Sequence, residues 1–164
     1  MRLFVAVVPP PEATAELDRA LRPLHRLPGA DRLRWTERES WHFTLVFLGE
    51  VDEGLLPGLF ERLGRAARRH AVHRVRLAGG GRFGDRALWT GASGQCQALG
   101  RLAQSAAAAA RRVGLFVDDR PFKAHLTLAR SRNPRRSGEG RAAVDLRPYV
   151  HALAGFEGAD WPVD

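Results

Sequence analysis

Cysteine, lysine, methionine and tyrosine occur once each in this chain of 164 residues, and two of these scarcities exclude classes of chemistry. Cys96 has no partner for an internal disulfide and no second thiolate for a metal cluster, which points to a reducing, cytoplasmic setting. Lys123, the one lysine, fits neither a Gly-Lys-Ser/Thr phosphate loop nor a Lys-x-Asp-Gly nucleotidylation motif, so an ATP-dependent kinase or ligase would lack its essential amine. No run is long and apolar enough to cross a bilayer. Met1 to Val8 stops too soon, at Pro9, Pro10 and Pro11, to serve as a secretory signal. What remains is a globular composition, 45% hydrophobic with 17 Gly and 10 Pro, long enough to bury its own core as a single domain of two lobes over residues 1–164.

Arginine is what the chain holds in excess. Lysine and arginine total 26 against 18 acidic residues, a formal charge of +8, which favours a polyanionic partner through release of its condensed counterions. An arginine-rich genome would leave the same bias, so charge alone does not name that partner.

Periodicity predicts strands over Arg2 to Val8, Leu33 to Trp35 and Trp41 to Leu48, and helices over Glu12 to Leu27 and Glu53 to His70. Val72 to Leu77 alternates as a strand that the triple glycine Gly79-Gly80-Gly81 is expected to turn. Arg86 to Thr90 and Phe122 to Arg130 read as strands, Gln95 to Val113 as an alanine-rich helix, and Leu146 to Leu153 as a short helix. Ser131 to Gly140 reads as a mobile basic loop, and Trp161-Pro162-Val163 as the opening of a strand carried no further. The order is strand, helix, strand twice over, joined between residues 78 and 95. It implies an α+β protein with a weak internal duplication.

The most specific feature is His42-Phe43-Thr44-Leu45 returning as His125-Leu126-Thr127-Leu128, again at a predicted strand. One His-apolar-Thr-Leu is rare by chance in a chain of this length, and two are far rarer. Strict alternation places His42, Thr44 and Val46 on one face and Phe43, Leu45 and Phe47 on the other. If the two halves pack as equivalent lobes, both His/Thr pairs face one cleft. One neutral imidazole can then take a proton from water while a charged one gives a proton to a departing sugar oxygen, with threonine hydroxyls donating to phosphate oxygens. Either histidine taken alone would more often be a packed or surface residue, and either threonine a mere strand former; the recurrence favours catalysis.

These segments, His42 to Glu50 preceded by Arg34-Trp35, and Phe122 to Arg130, resemble the two His-x-Thr motifs of the two-histidine (2H) phosphoesterases. Within that superfamily they are most similar to the bacterial and archaeal RNA 2′,3′-cyclic phosphodiesterases also called 2′-5′ RNA ligases. The resemblance extends to Arg2 to Pro9 and Phe83 to Gly91. It implies a bilobal, pseudo-symmetric α+β fold with two antiparallel sheets flanking a central cleft and helices outside. It implies ATP-independent hydrolysis of 2′,3′-cyclic phosphate ends of RNA to 2′-phosphates, with weak reverse ligation. The His/Thr chemistry itself requires no metal or cofactor, and the expected partner is an RNA end, such as that of a tRNA fragment, met by a monomer. His42 would be the proton donor to O3′ and His125 the base, with Thr44 and Thr127 binding the phosphate. Arg130 stands where such proteins hold a phosphate-binding arginine, although strict alternation from His125 points it away from the cleft. Phe83 either stacks on a base or belongs to the core. Relatives continue past a residue like Trp161 into a further strand or hairpin, which this chain would lack.

Two rivals share the motifs: a non-catalytic RNA-binding module that keeps the cleft, and a phosphodiesterase for small cyclic nucleotides. A pure binder has no need of both histidines and both threonines. A metallohydrolase built on His70 and His73 has no acidic partner nearby, and these two are expected as solvated surface histidines.

Overall fold

The computed structural model describes residues 1–132 and 144–164. Most of the loop expected over Ser131 to Gly140 therefore lies outside the described residues. Among these, the strands are β1 (Arg2–Val7), β2 (Leu33–Trp35), β3 (Phe43–Glu50), β4 (His73–Phe83), β5 (Ala87–Gly94), β6 (Leu126–Ser131) and β7 (Trp161–Val163). The helices are α1 (Pro11–Leu21), α2 (Leu56–Arg68), α3 (Cys96–Arg112) and α4 (Arg147–Leu153). The strands form two antiparallel sheets, one of two strands in the order β1-β3 and one of five in the order β2-β6-β5-β4-β7.

The halves of the sequence do not map onto the sheets. β2 leaves its own half to pair with β6. Leu17 and Leu21 of α1, with Tyr149 and Leu153 of α4, pack on Val75, Leu77, Leu88 and Leu126 of the large sheet. Leu59 of α2 and Ala106 and Ala110 of α3 pack instead on Val46 and Leu48 of β3. Each sheet is thus covered by one helix from each half, so that the lobes cannot be separated without opening both cores. At roughly 1.5–3 kcal/mol for each large apolar side chain buried, these contacts supply most of the favourable energy.

Several predicted bounds move for local reasons. The first helix stops at Leu21 rather than Leu27 because Pro23 cannot donate its backbone N–H, and Leu24–Arg26 forms a separate 3₁₀ turn. A 3₁₀ turn over Glu53–Leu55 likewise precedes α2, whose first turn carries Pro57. The larger correction concerns the triple glycine, which does not turn the chain. β4 runs straight through it to Phe83, with a register shift between Ala78 and Gly81. Gly79 takes φ +66° at this bulge, and the next two glycines make room: a Cβ on Gly80 would stand 2.7 Å from Leu153 Cβ, and one on Gly81 2.2 Å from the Trp89 ring.

Candidate active site

Both histidines lie one residue ahead of the regular strands expected to carry them, since β3 begins at Phe43 and β6 at Leu126. The residue after each histidine anchors it. Phe43 and Leu126 are fully buried in the same core cluster, and β3 meets β6 where the two sheets join. His42 and His125 are therefore hung from one shared core on strands of different sheets.

Each imidazole is oriented by its own backbone. His42 Nδ1 lies 2.7 Å from the carbonyl oxygen of Ser40, and His125 Nδ1 lies 2.8 Å from that of Lys123. A carbonyl only accepts, so Nδ1 carries the hydrogen in both rings and Nε2 is the working nitrogen. Beyond this shared anchor the two sites differ. His42 Nε2 is 2.9 Å from Thr44 Oγ1, and the ring stacks on Phe4 at 4.7 Å between centroids. His125 stands edge-on to Phe83 at 5.0 Å and to Trp89 at 6.1 Å. The Lys123 ammonium caps the same wall, 4.8 Å from the Trp89 ring centroid, a cation–π arrangement.

Strict alternation fails in both strands, at the same step. Opposite β1, Thr44 pairs with Ala6 and Val46 with Val5, which leaves Leu45 as an extra residue. Opposite β5, Thr127 pairs with Trp89 and Ala129 with Leu88, which leaves Leu128 extra. Each His-x-Thr-Leu thus ends in a bulge at its leucine, which turns two successive side chains toward the core and inverts the phase beyond. The correction is visible in the burial: Phe47, expected beside buried Phe43, is 70% exposed, whereas Val46 is buried. The fifth residue after each histidine now shares the threonine's face. In β3 that residue is Phe47, opposite Phe4; in β6 it is Arg130, opposite Ala87. The bulge at Leu128 is what brings Arg130 to the cleft face, against the expectation from strict alternation.

Phe83 is half-buried and lies on that face through its pairing with Ala87, where it forms a wall to His125. Sequence reasoning passed over Phe4, Phe47, Trp89 and Lys123. Phe4 and Phe47, 50% and 70% exposed, were legible only as alternating strand residues until the bulge set their side. The expectation for His73 is overturned: it is 4% exposed and faces the core from the start of β4, beside Val163 of β7. His70 is half-buried and bonds Ser105 Oγ. Among the described residues, no group of three His, Cys, Asp or Glu could hold a metal ion, and no helix is long and apolar enough to cross a membrane.

The two motifs thus share an imidazole held at Nδ1 by a carbonyl two residues earlier, and in the first of them Nε2 also meets the threonine hydroxyl. The LigT-like phosphoesterase family model matches residues 7–89, which take in the first motif. An RNA 2′,3′-cyclic phosphodiesterase of Thermus thermophilus is 35% identical over an alignment of 175 residues that covers 100% of this chain and 78% of that protein. A protein of the same name from Geobacillus stearothermophilus is 36% identical over 100 residues; the match takes in 58% of this chain but spans only about a third, 32%, of that relative's length. The crystal structure of E. coli LigT complexed with 3′-AMP superposes with a TM-score of 0.68 at 31% identity, over 80% of this chain and 75% of that one. The chain belongs to the LigT-like phosphoesterase family.

Proposed function

We propose that the protein opens 2′,3′-cyclic phosphates at RNA ends to give a 2′-phosphate and a free 3′-hydroxyl. The observation that carries this reading is the pair of imidazoles, each pinned at Nδ1 by a carbonyl two residues earlier and each set on the shared core. A binding module has no use for two rings held in one defined tautomer. The names of the relatives and the nucleotide bound to E. coli LigT support the same substrate class.

In this mechanism neutral His125 takes a proton from water at Nε2, the water oxygen bonds to phosphorus, and the bond from phosphorus to O3′ breaks. His42, charged, gives its Nε2 proton to O3′. Thr44 and Thr127 donate hydrogen bonds to the non-bridging oxygens, and Arg130 offsets the charge that grows there. A 5′-hydroxyl in place of water would give a 2′-5′ linkage, the reverse ligation expected of the family. Phe4 and Phe47 offer an exposed aromatic face to the terminal base. One chain supplies every group, so the reading needs no second copy, and acid and base both come from imidazole, so no metal enters.

Single-turnover opening of a cyclic-phosphate oligonucleotide tests it. The wild-type rate should survive excess EDTA. His42→Ala and His125→Ala should each lower the rate by about 10² to 10⁴, with the double variant little slower than either single one, while RNA binding persists. Wild-type protein that binds RNA and never opens the cyclic phosphate would sink the proposal, as would activity that EDTA abolishes and Zn²⁺ or Mn²⁺ restores.

A further inference from the structure

The register of the large sheet places two arginines side by side on its cleft face. Arg34 of β2 lies directly opposite Arg130 of β6, and the row continues through Ala87 of β5 to Phe83 of β4. Thr127 and Trp89 form the neighbouring row. Leu33 and Trp35, on either side of Arg34, turn toward the core, so the Arg34 side chain projects from the same face as Thr127. Both arginines are exposed. Neither is among the described residues that form ion pairs or side-chain hydrogen bonds, whereas Arg74, Arg76, Arg82, Arg120 and Arg147 each have a carboxylate.

Like charges directly opposite on adjacent strands destabilise a sheet, and a carboxylate beside either one would relieve the pair. None of the described residues does so, and a bound anion would. Arg130 is the nearer to Thr127, on the same strand; Arg34 lies one strand further out, about 4.8 Å away across the sheet. One scissile phosphate does not need both cations at different distances. An RNA end presents a second phosphate, the phosphodiester on the 5′ side of the terminal nucleotide; a cyclic mononucleotide does not.

We propose that Arg34 binds this second phosphodiester and is the residue by which the site prefers a polynucleotide end to a small cyclic nucleotide. The proposal rests on the cyclic-phosphate reading above and adds the substrate class to it. Arg34 is a specificity residue here, and takes no part in proton transfer.

The test compares wild type, Arg34→Ala and Arg34→Lys on adenosine 2′,3′-cyclic phosphate and on a trinucleotide ending in the same group. A third substrate carries a neutral methylphosphonate at the linkage 5′ of the terminal nucleotide. Arg34→Ala should raise KM for the trinucleotide about tenfold more than for the mononucleotide, with kcat moving little, and should flatten the salt dependence of trinucleotide binding by about one phosphate contact. Arg34→Lys should recover part of the loss, because a point charge replaces a fork. The methylphosphonate should impose a similar penalty on wild type and almost none on Arg34→Ala, since both remove one contact. Equal effects of Arg34→Ala on all three substrates, or none on any, overturn the proposal. A wild type inactive on every cyclic phosphate instead overturns the function on which it rests. Thermal unfolding of Arg34→Ala at or above the wild-type Tm, as expected from relief of the facing charges, separates lost recognition from lost folding.

Discussion

Gly81→Ala probes whether the wall behind His125 is set by the backbone of β4. A Cβ there would stand 2.2, 2.3 and 2.7 Å from Cζ2, Cη2 and Cε2 of Trp89, where carbon atoms in contact rest at about 3.5–4.0 Å. The indole must therefore withdraw by about 1 Å or more. Overpacking of this kind costs about 1–3 kcal/mol, which at about 2–4 °C for each kcal/mol lowers Tm by about 2–12 °C and leaves a protein of ordinary stability folded. The displaced indole is the one that bears the Lys123 ammonium and stands edge-on to His125. A misplacement of about 1 Å near a catalytic array can cost about 10² in rate. Gly80→Ala is the control, because its Cβ would meet Leu153 at 2.7 Å on the α4 side of the sheet. It should lose comparable stability while the rate stays near wild type. Circular dichroism melts and single-turnover opening of a cyclic phosphate, below the lower Tm, read both quantities. A wild-type rate in Gly81→Ala, or an equal rate loss in the two variants, would refute the role given to the Trp89 wall.

The pH dependence of opening should pass through a maximum, because one imidazole must be neutral while the other is charged, and its two limbs belong to the pair and not to either ring alone; a rate flat from about pH 5 to pH 9 with chemistry limiting would contradict the paired mechanism. Phe47→Ala removes an exposed ring, so Tm should barely move, yet substrate affinity should fall by about 1–3 kcal/mol if a base stacks there. Calorimetric titration of an uncleavable RNA end against both proteins checks this, and unchanged affinity would return Phe47 to the status of an incidental surface residue.

What the sequence determined by itself was the pair of motifs on which the proposed chemistry rests, and most of the elements. The repeat of His42 and Thr44 as His125 and Thr127 needed no coordinates, because residue identity alone sets which groups can exchange protons. Helix and strand periods likewise marked α1 to α4 and most strands, since amphipathic burial is written in the order of residues. Tertiary structure decided which side of a strand each residue occupies beyond the motif. A bulge at Leu45 or Leu128 depends on how the partner strand is paired, and a one-residue slip reverses every later side chain. That slip put Phe47 and Arg130 on the cleft face and set aside strict alternation. It also took the pairing of β2 with β6, between segments far apart in the chain, to bring Arg34 beside Arg130. The glycines after Ala78 mislead for a related reason: a residue chosen to avoid Leu153 and Trp89 looks, in sequence, the same as one chosen for a turn. Neighbours distant along the chain leave no periodic trace, so only packing can supply them.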